Sequence, residues 1–265
     1  MKIEEMEKNY RSELEKLEVF DVNAWWDASP LESFTPFETF ADCLTNLGGH
    51  GIKEAILTCA EGYKYDALSG NEATAKLIAD RAGLFGAMTL YPDLLIAGHA
   101  AEYIAGLVKQ GFCIARMFPK KYFHSMEDYC VGGLLAILQQ MHVPLMLWHS
   151  ETGFDGIHAL CTRYPQLPII IEGNEVKLLY HARNYISLLS QHENLYIETH
   201  NLVLFDEIAN LVQKFGAARL IFGSYFPYNT PAPSLYNIMM AGISEAEKKQ
   251  ICGGNIRRLI AGITR

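Results

Sequence analysis

Short apolar runs alternate with amphipathic stretches along almost the whole chain, and a chain patterned this way is restricted to a parallel sheet built from strand–helix units. The predicted strands are Val19–Trp25, Glu54–Cys59, Leu84–Leu90, Phe112–Phe118, Val143–His149, Pro168–Glu172, Asn194–Thr199 and Arg219–Phe222. Apolar residues spaced three and four apart predict the intervening helices Phe37–Leu47, Ala73–Ala82, Ala100–Val108, Gly133–Met141, Ile157–Tyr164, Leu178–Leu189, Phe205–Phe215 and Leu235–Ala241. A charged helical lead-in, residues 1–18, precedes them. Eight units point to a closed (β/α)8 TIM barrel. A doubly wound open sheet would alternate in the same way. However, no Gly-x-Gly-x-x-Gly follows the first strand, and no phosphate-binding loop occurs elsewhere.

With 265 residues, half of them apolar, the chain can bury one large core, so a single domain over 1–265 is expected. No linker, repeat or low-complexity tract divides it. The net charge of −8, with both signs interspersed, leaves no basic stripe for nucleic acid. No apolar run reaches membrane-spanning length, and the charged start Met1–Lys8 lacks the apolar core of a secretory signal. The six cysteines are scattered without a Cys-x-x-Cys pair and read as reduced core thiols. A cytoplasmic protein acting on a small molecule is expected, with neither nucleic acid nor membrane as partner.

Several segments resemble the amidohydrolase superfamily, in its amidohydrolase-related branch that includes aminocarboxymuconate semialdehyde decarboxylase. Arg219-Leu-Ile-Phe-Gly-Ser-Tyr-Phe-Pro227 is similar to that branch's last barrel strand, which ends in Gly-Ser-Asp-x-Pro, but Tyr225 stands in the aspartate position. Asp21-Val-Asn-Ala-Trp25 sits where the branch carries Asp-x-His-x-His, and Gly253–Leu259 resembles its closing Gly-x-Asn-Ala-x-Arg-Leu helix. Val143–His149 resembles the strand that delivers another metal-binding histidine. Tyr164–Glu172 resembles the next strand, which normally ends in His-x-Gly.

The resemblance implies that these positions bind one or two divalent ions and activate water. Carried over residue by residue, His149 alone matches a ligand. Asn23 and Trp25 replace the histidine pair, Tyr225 the aspartate, and Glu172 or Gly173 the strand-six histidine. No cofactor is therefore expected; the alternative is zinc on a rearranged His149, Glu172 and His200 set. Pairing through outer helices, as barrels of the family often do, makes a homodimer the expected assembly if there is one.

Barrel active sites lie at the carboxyl ends of the strands. That rule selects Asn23, Trp25, Arg116, His149, Glu172, His200 and Tyr225 as groups converging on one cavity. His149, Glu172 and Arg116 are the candidate catalytic residues: a general acid or base, a carboxylate setting its tautomer, and a cation for a substrate carboxylate. Asn23, Trp25, Tyr225 and His200 are the candidate substrate contacts. Each has a plainer reading. His149 reads otherwise as a hydrogen-bonded core histidine, Glu172 as either a solvated strand terminus or a partner for a buried cation, and Trp25 and Tyr225 as filling where metal and water once sat. Arg116, flanked by apolar neighbours in its strand, needs an anionic partner such as Glu172 or a substrate carboxylate, unless it points toward the covering helix and reaches solvent at the rim; Glu198 shares that ambiguity, and Lys120 and Lys121 fit a solvated loop or a site that draws in an anion.

A metal-independent hydrolase or decarboxylase of small lactones, esters or unsaturated acids is the leading expectation. A non-catalytic descendant and a rearranged metal hydrolase are the alternatives.

Overall fold

The computed structural model describes residues 3–26, 37, 39–174 and 176–265. Its eight strands follow one another in the order of the chain, all pairs parallel: β1 Phe20–Trp26, β2 Glu54–Cys59, β3 Leu84–Thr89, β4 Phe112–Arg116, β5 Leu145–Trp148, β6 Ile169–Glu172, β7 Leu195–Glu198 and β8 Leu220–Ile221. The seam closes through backbone bonds from Val22 N to Phe222 O (3.2 Å) and from Trp25 N to Phe226 O (2.6 Å). Helices lie between consecutive strands, so this is a (β/α)8 barrel. Strands covered on both faces read as continuous apolar runs, and Ile169, Ile170 and Ile171 are all fully buried.

Most helices begin elsewhere than the apolar spacing predicts: those expected at Gly133–Met141, Ile157–Tyr164, Phe205–Phe215 and Leu235–Ala241 run Asp128–Met141, Phe154–Arg163, Glu207–Phe215 and Pro231–Met240. The helix expected at Ala73–Ala82 runs Ala67–Ile78, started by Asp66, whose side chain accepts from Ser69 N at 2.7 Å. Its early turns were hidden because Asn71, a polar residue, faces the sheet and exchanges hydrogen bonds with the Thr89 backbone (2.9 and 2.7 Å). The helix expected at Phe37–Leu47 runs Phe40–Gly49 behind a Thr39–Asp42 capping box; position 38 of that range, like positions 1 and 2 of the lead-in, lies outside the described residues.

The end of the barrel is locked by two side chains. Asn255, in the closing helix Asn255–Ala261, donates to Ala217 O (2.8 Å) and Leu220 O (2.7 Å) and so anchors the start of β8. Asp21 accepts from Asn23 N (2.9 Å), Ser224 N (3.0 Å) and the Ser224 hydroxyl, while Ser224 Oγ accepts from Phe226 N (3.0 Å). This clamp sets the turn that carries Tyr225, whose φ of 58° is left-handed. Gly223 beside it has no room for a side chain: a Cβ there would stand 2.3 Å from Glu198 Oε1.

None of the six cysteines forms a disulfide. Among the described residues, no helix is long and apolar enough to cross a membrane.

Candidate active site

β1 carries a register shift between Asp21 and Ala24, and the side chains of Asn23 and Trp25 meet on its inner side. Asn23 meets the last residues of β4, β6 and β7 in the barrel interior. Its amide donates to Glu172 Oε2 and, at 3.4 Å, to Glu198 Oε2. Its carbonyl accepts from Arg116 Nη2 at 2.9 Å and from the Trp25 indole at 2.8 Å. Arg116 Nη1 pairs with Glu172 Oε1. Asn23, Arg116, Glu172 and Glu198 are all 0% exposed.

Glu198 in turn holds His200, accepting from its backbone N (2.8 Å) and its Nδ1, while Asn201 Nδ2 lies 2.8 Å from His200 Nε2. The carboxylates of Glu172 and Glu198 and the imidazole of His200 form a group of three donors within 4.8 Å of one another. Each of their ligand atoms already has a hydrogen-bond partner in the protein. His149 does not belong to this group.

Burial governs the ionisation of the network. It pushes the Glu172 carboxyl up to about 7, with Glu198 adding repulsion and Arg116 opposing. Asp21 rises to about 6 because burial outweighs the hydrogen bonds from Ser224 and Asn23. For His200, burial pulls down, but the charge and hydrogen bond of Glu198 prevail and raise it.

The Asp21 shift has a definite sign. Between about 4 and 6 the folded chain holds a proton that the unfolded chain has released, so stability falls as pH rises through that window. Relative to Asp21→Asn, the wild-type protein is expected to gain on the order of 2 kcal/mol on going from pH 7 to pH 4. Urea midpoints of both proteins at the two pH values check this, and an equal difference at each pH refutes it.

Above the polar network lies an aromatic layer. The Trp25 ring sits 4.9 Å from the Arg116 guanidinium carbon and stacks on Trp148 at 5.6 Å and 24°. Phe118 and Tyr63 pack against the two indoles. Beyond this floor opens a cavity of about 580 Å³, walled by Tyr63, Tyr225 and Tyr228 as well as the indoles. Its polar groups come from the βα loops: Asn174, Asn201 and Asn229 supply amides, and Lys64 and Lys177 supply cations. Tyr225 stacks between His200 (5.1 Å) and Tyr228 (5.0 Å).

The selected residues therefore converge on the same end of the barrel but in two layers, not on one cavity. Trp25 and Tyr225 line the cavity, whereas Asn23, Arg116 and Glu172 are sealed beneath it. A large indole at position 25 fills the space through which a substrate would otherwise reach them. Of the two strand-six positions, Glu172 is the one whose side chain turns inward, onto Asn23 and Arg116.

His149 hydrogen-bonds to the backbone of Glu172, with Nδ1 3.1 Å from the carbonyl oxygen. A carbonyl only accepts, so Nδ1 carries the proton and the buried Nε2 is left without a hydrogen-bond partner. Burial, with His181 and Lys120 nearby, lowers the His149 pKa, and its ring packs on Phe154 (5.4 Å) and His181 (5.1 Å). Sequence reasoning passed over Lys64, Lys177 and the three asparagines; the same strand-end rule, extended a few residues into each loop, would have found them.

The family model described as amidohydrolase matches residues 15–261. Among solved structures, 2,6-dihydroxybenzoate decarboxylase from Rhizobium is 18% identical with a TM-score of 0.65, over 91% of this chain and 99% of that one. A dihydroxybenzoic acid decarboxylase from Polaromonas sp. JS666, with bound manganese and the inhibitor 2-nitroresorcinol, is 17% identical with a TM-score of 0.67, over 92% and 96%. The 4-oxalomesaconate hydratase of Rhodopseudomonas palustris is 14% identical with a TM-score of 0.66, over 92% and 96%. No curated protein matches the chain.

Proposed function

The chain belongs to the amidohydrolase family, and we propose that within it the protein is a metal-independent enzyme that decarboxylates a small planar carboxylic acid in the aromatic cavity. The observation that carries this is the make-up of that cavity: stacked indoles and phenols for a flat ligand, with two lysines and three amides in a protein of net charge −8. The decarboxylase relatives accord with that substrate class.

The residues do not fit the family's divalent ion. Of the five ligand positions that the resemblance implies, three hold an amide, an indole and a phenol, and the carboxylates beneath are committed to Arg116, Asn23 and His200. Hydrolysis needs an activated water, which the ion ordinarily supplies. Decarboxylation does not, and a carboxylate moved from water onto aromatic walls loses the hydration that opposes release of neutral carbon dioxide.

Trp25, Trp148 and Tyr63 hold the substrate plane. Lys64 and Lys177 neutralise its second polar group as charge develops. The carbon–carboxylate bond breaks, its electron pair stays on the substrate carbon, and the Tyr225 hydroxyl gives that carbon its proton; cavity water then re-protonates the phenolate. Arg116 and Glu172 act as positioning residues, fixing the Trp25 floor through the Asn23 carbonyl. Binding without turnover is the second reading. It is favoured by the burial of His149, Glu172 and Arg116 away from the cavity.

The test is carbon dioxide release from dihydroxybenzoates and unsaturated acids in the presence of a chelator, with calorimetry on the same compounds. Turnover unaffected by chelation supports the proposal, binding alone supports the second reading, and turnover only after added manganese overturns the metal-free mechanism. Lys64→Ala and Lys177→Ala are each expected to weaken carboxylate binding by about 1.5 kcal/mol, roughly tenfold in Kd. Calorimetry reads it, and unchanged Kd in both variants would exclude the lysines as anion contacts.

A further inference from the structure

We infer that the Arg116 guanidinium on Glu172 and the Asn23 amide bridging Glu172 and Glu198 together stand in for a divalent cation, so that a latent metal site lies among Glu172, Glu198 and His200. This rests on the metal-free reading above and explains what makes that reading stable. Two neighbouring strands bring metal-competent donors together in the dry interior: Glu172 ends β6, Glu198 ends β7, and His200 follows two residues on. Two carboxylates sharing one amide donor there repel each other and need compensating charge. Arg116, anchored on β4 and held over Trp25, meets Glu172 with one terminal nitrogen and Asn23 with the other.

Glu198 is held by His200, and the charge that compensates Glu172 is thus covalently part of the chain. Removing it while keeping the acids would leave a buried anionic pocket with an oxygen–oxygen–nitrogen donor set, the composition of a zinc-type site. The chemical class of ligand is a divalent borderline ion such as zinc or cobalt.

The test uses Arg116→Ala and Arg116→Met, titrated with cobalt and read by visible ligand-field absorption and by the shift in thermal midpoint. The surface pair His158 and His192, whose ring nitrogens lie 2.7 Å apart, would take weak metal in every variant, so the difference from wild type is what counts. The expected result is about one further equivalent of cobalt in tetrahedral coordination and a raised midpoint in the variants, lost on adding His200→Ala.

Wild-type protein that already takes cobalt in a His200-dependent manner overturns the inference. So does failure of both variants to gain metal, whether they stay unfolded with cobalt present or fold with the donors unfilled. None of these outcomes depends on whether a carboxylic acid binds, which the chelator assay measures separately.

Discussion

Glu172→Leu with Arg116 intact is expected to destabilise the protein by about 3–5 kcal/mol, because it leaves a fully buried guanidinium without its anion. The attraction between two charges in the interior only repays the cost of bringing both out of water, so losing one partner exposes the whole cost of the other. Asn23 cannot make up the difference: its carbonyl already accepts from both Arg116 and Trp25. The double variant Arg116→Met, Glu172→Leu removes both costs together and is expected to recover most of the loss. Urea denaturation with unchanged slope measures both. If the single and double variants are equally destabilised, the network is held by packing and not by charge.

Tyr225→Phe is expected to lower turnover by about 10²–10³-fold, the range lost when a positioned proton donor is removed. Binding of the same acid should change little, because the ring that stacks on His200 and Tyr228 stays in place. Single-turnover rates together with calorimetric Kd separate the two effects. Unchanged turnover would assign the proton to another group, and a parallel loss of binding would make Tyr225 a wall and not an acid. The left-handed turn at Tyr225 is part of this argument: Asp21 and Ser224 fix the backbone that aims the phenol, so Ser224→Ala should weaken turnover through Tyr225 without touching the substrate.

Much of this arrangement was legible in the residues. β2 lies at Glu54–Cys59 as the apolar run alone predicts, and the family motifs at Asp21–Trp25, Gly223–Pro227 and Gly253–Leu259 mark the two ends of the barrel that close on each other. Arg116 stood out because a guanidinium within an apolar strand must find an anion, and Glu172 is that anion. β8 is shorter than predicted, Leu220–Ile221, because Gly223 and the Asp21 clamp turn the chain out of the ladder. Asn71 concealed the start of its helix because buried polar pairs carry no apolar periodicity.

Local pattern and strand-end position thus determined the barrel and a short list of polar residues at its mouth, since both depend on which residue follows which. Tertiary structure alone decided that the list divides into a sealed charge network and an open aromatic cavity. That division depends on side-chain volume and direction across strands far apart in the chain: Trp25 is large enough to cover Arg116, and Glu198 rather than His149 is near enough to join Glu172. Spacing along a chain records neither quantity, because both arise only when eight strands close on one another.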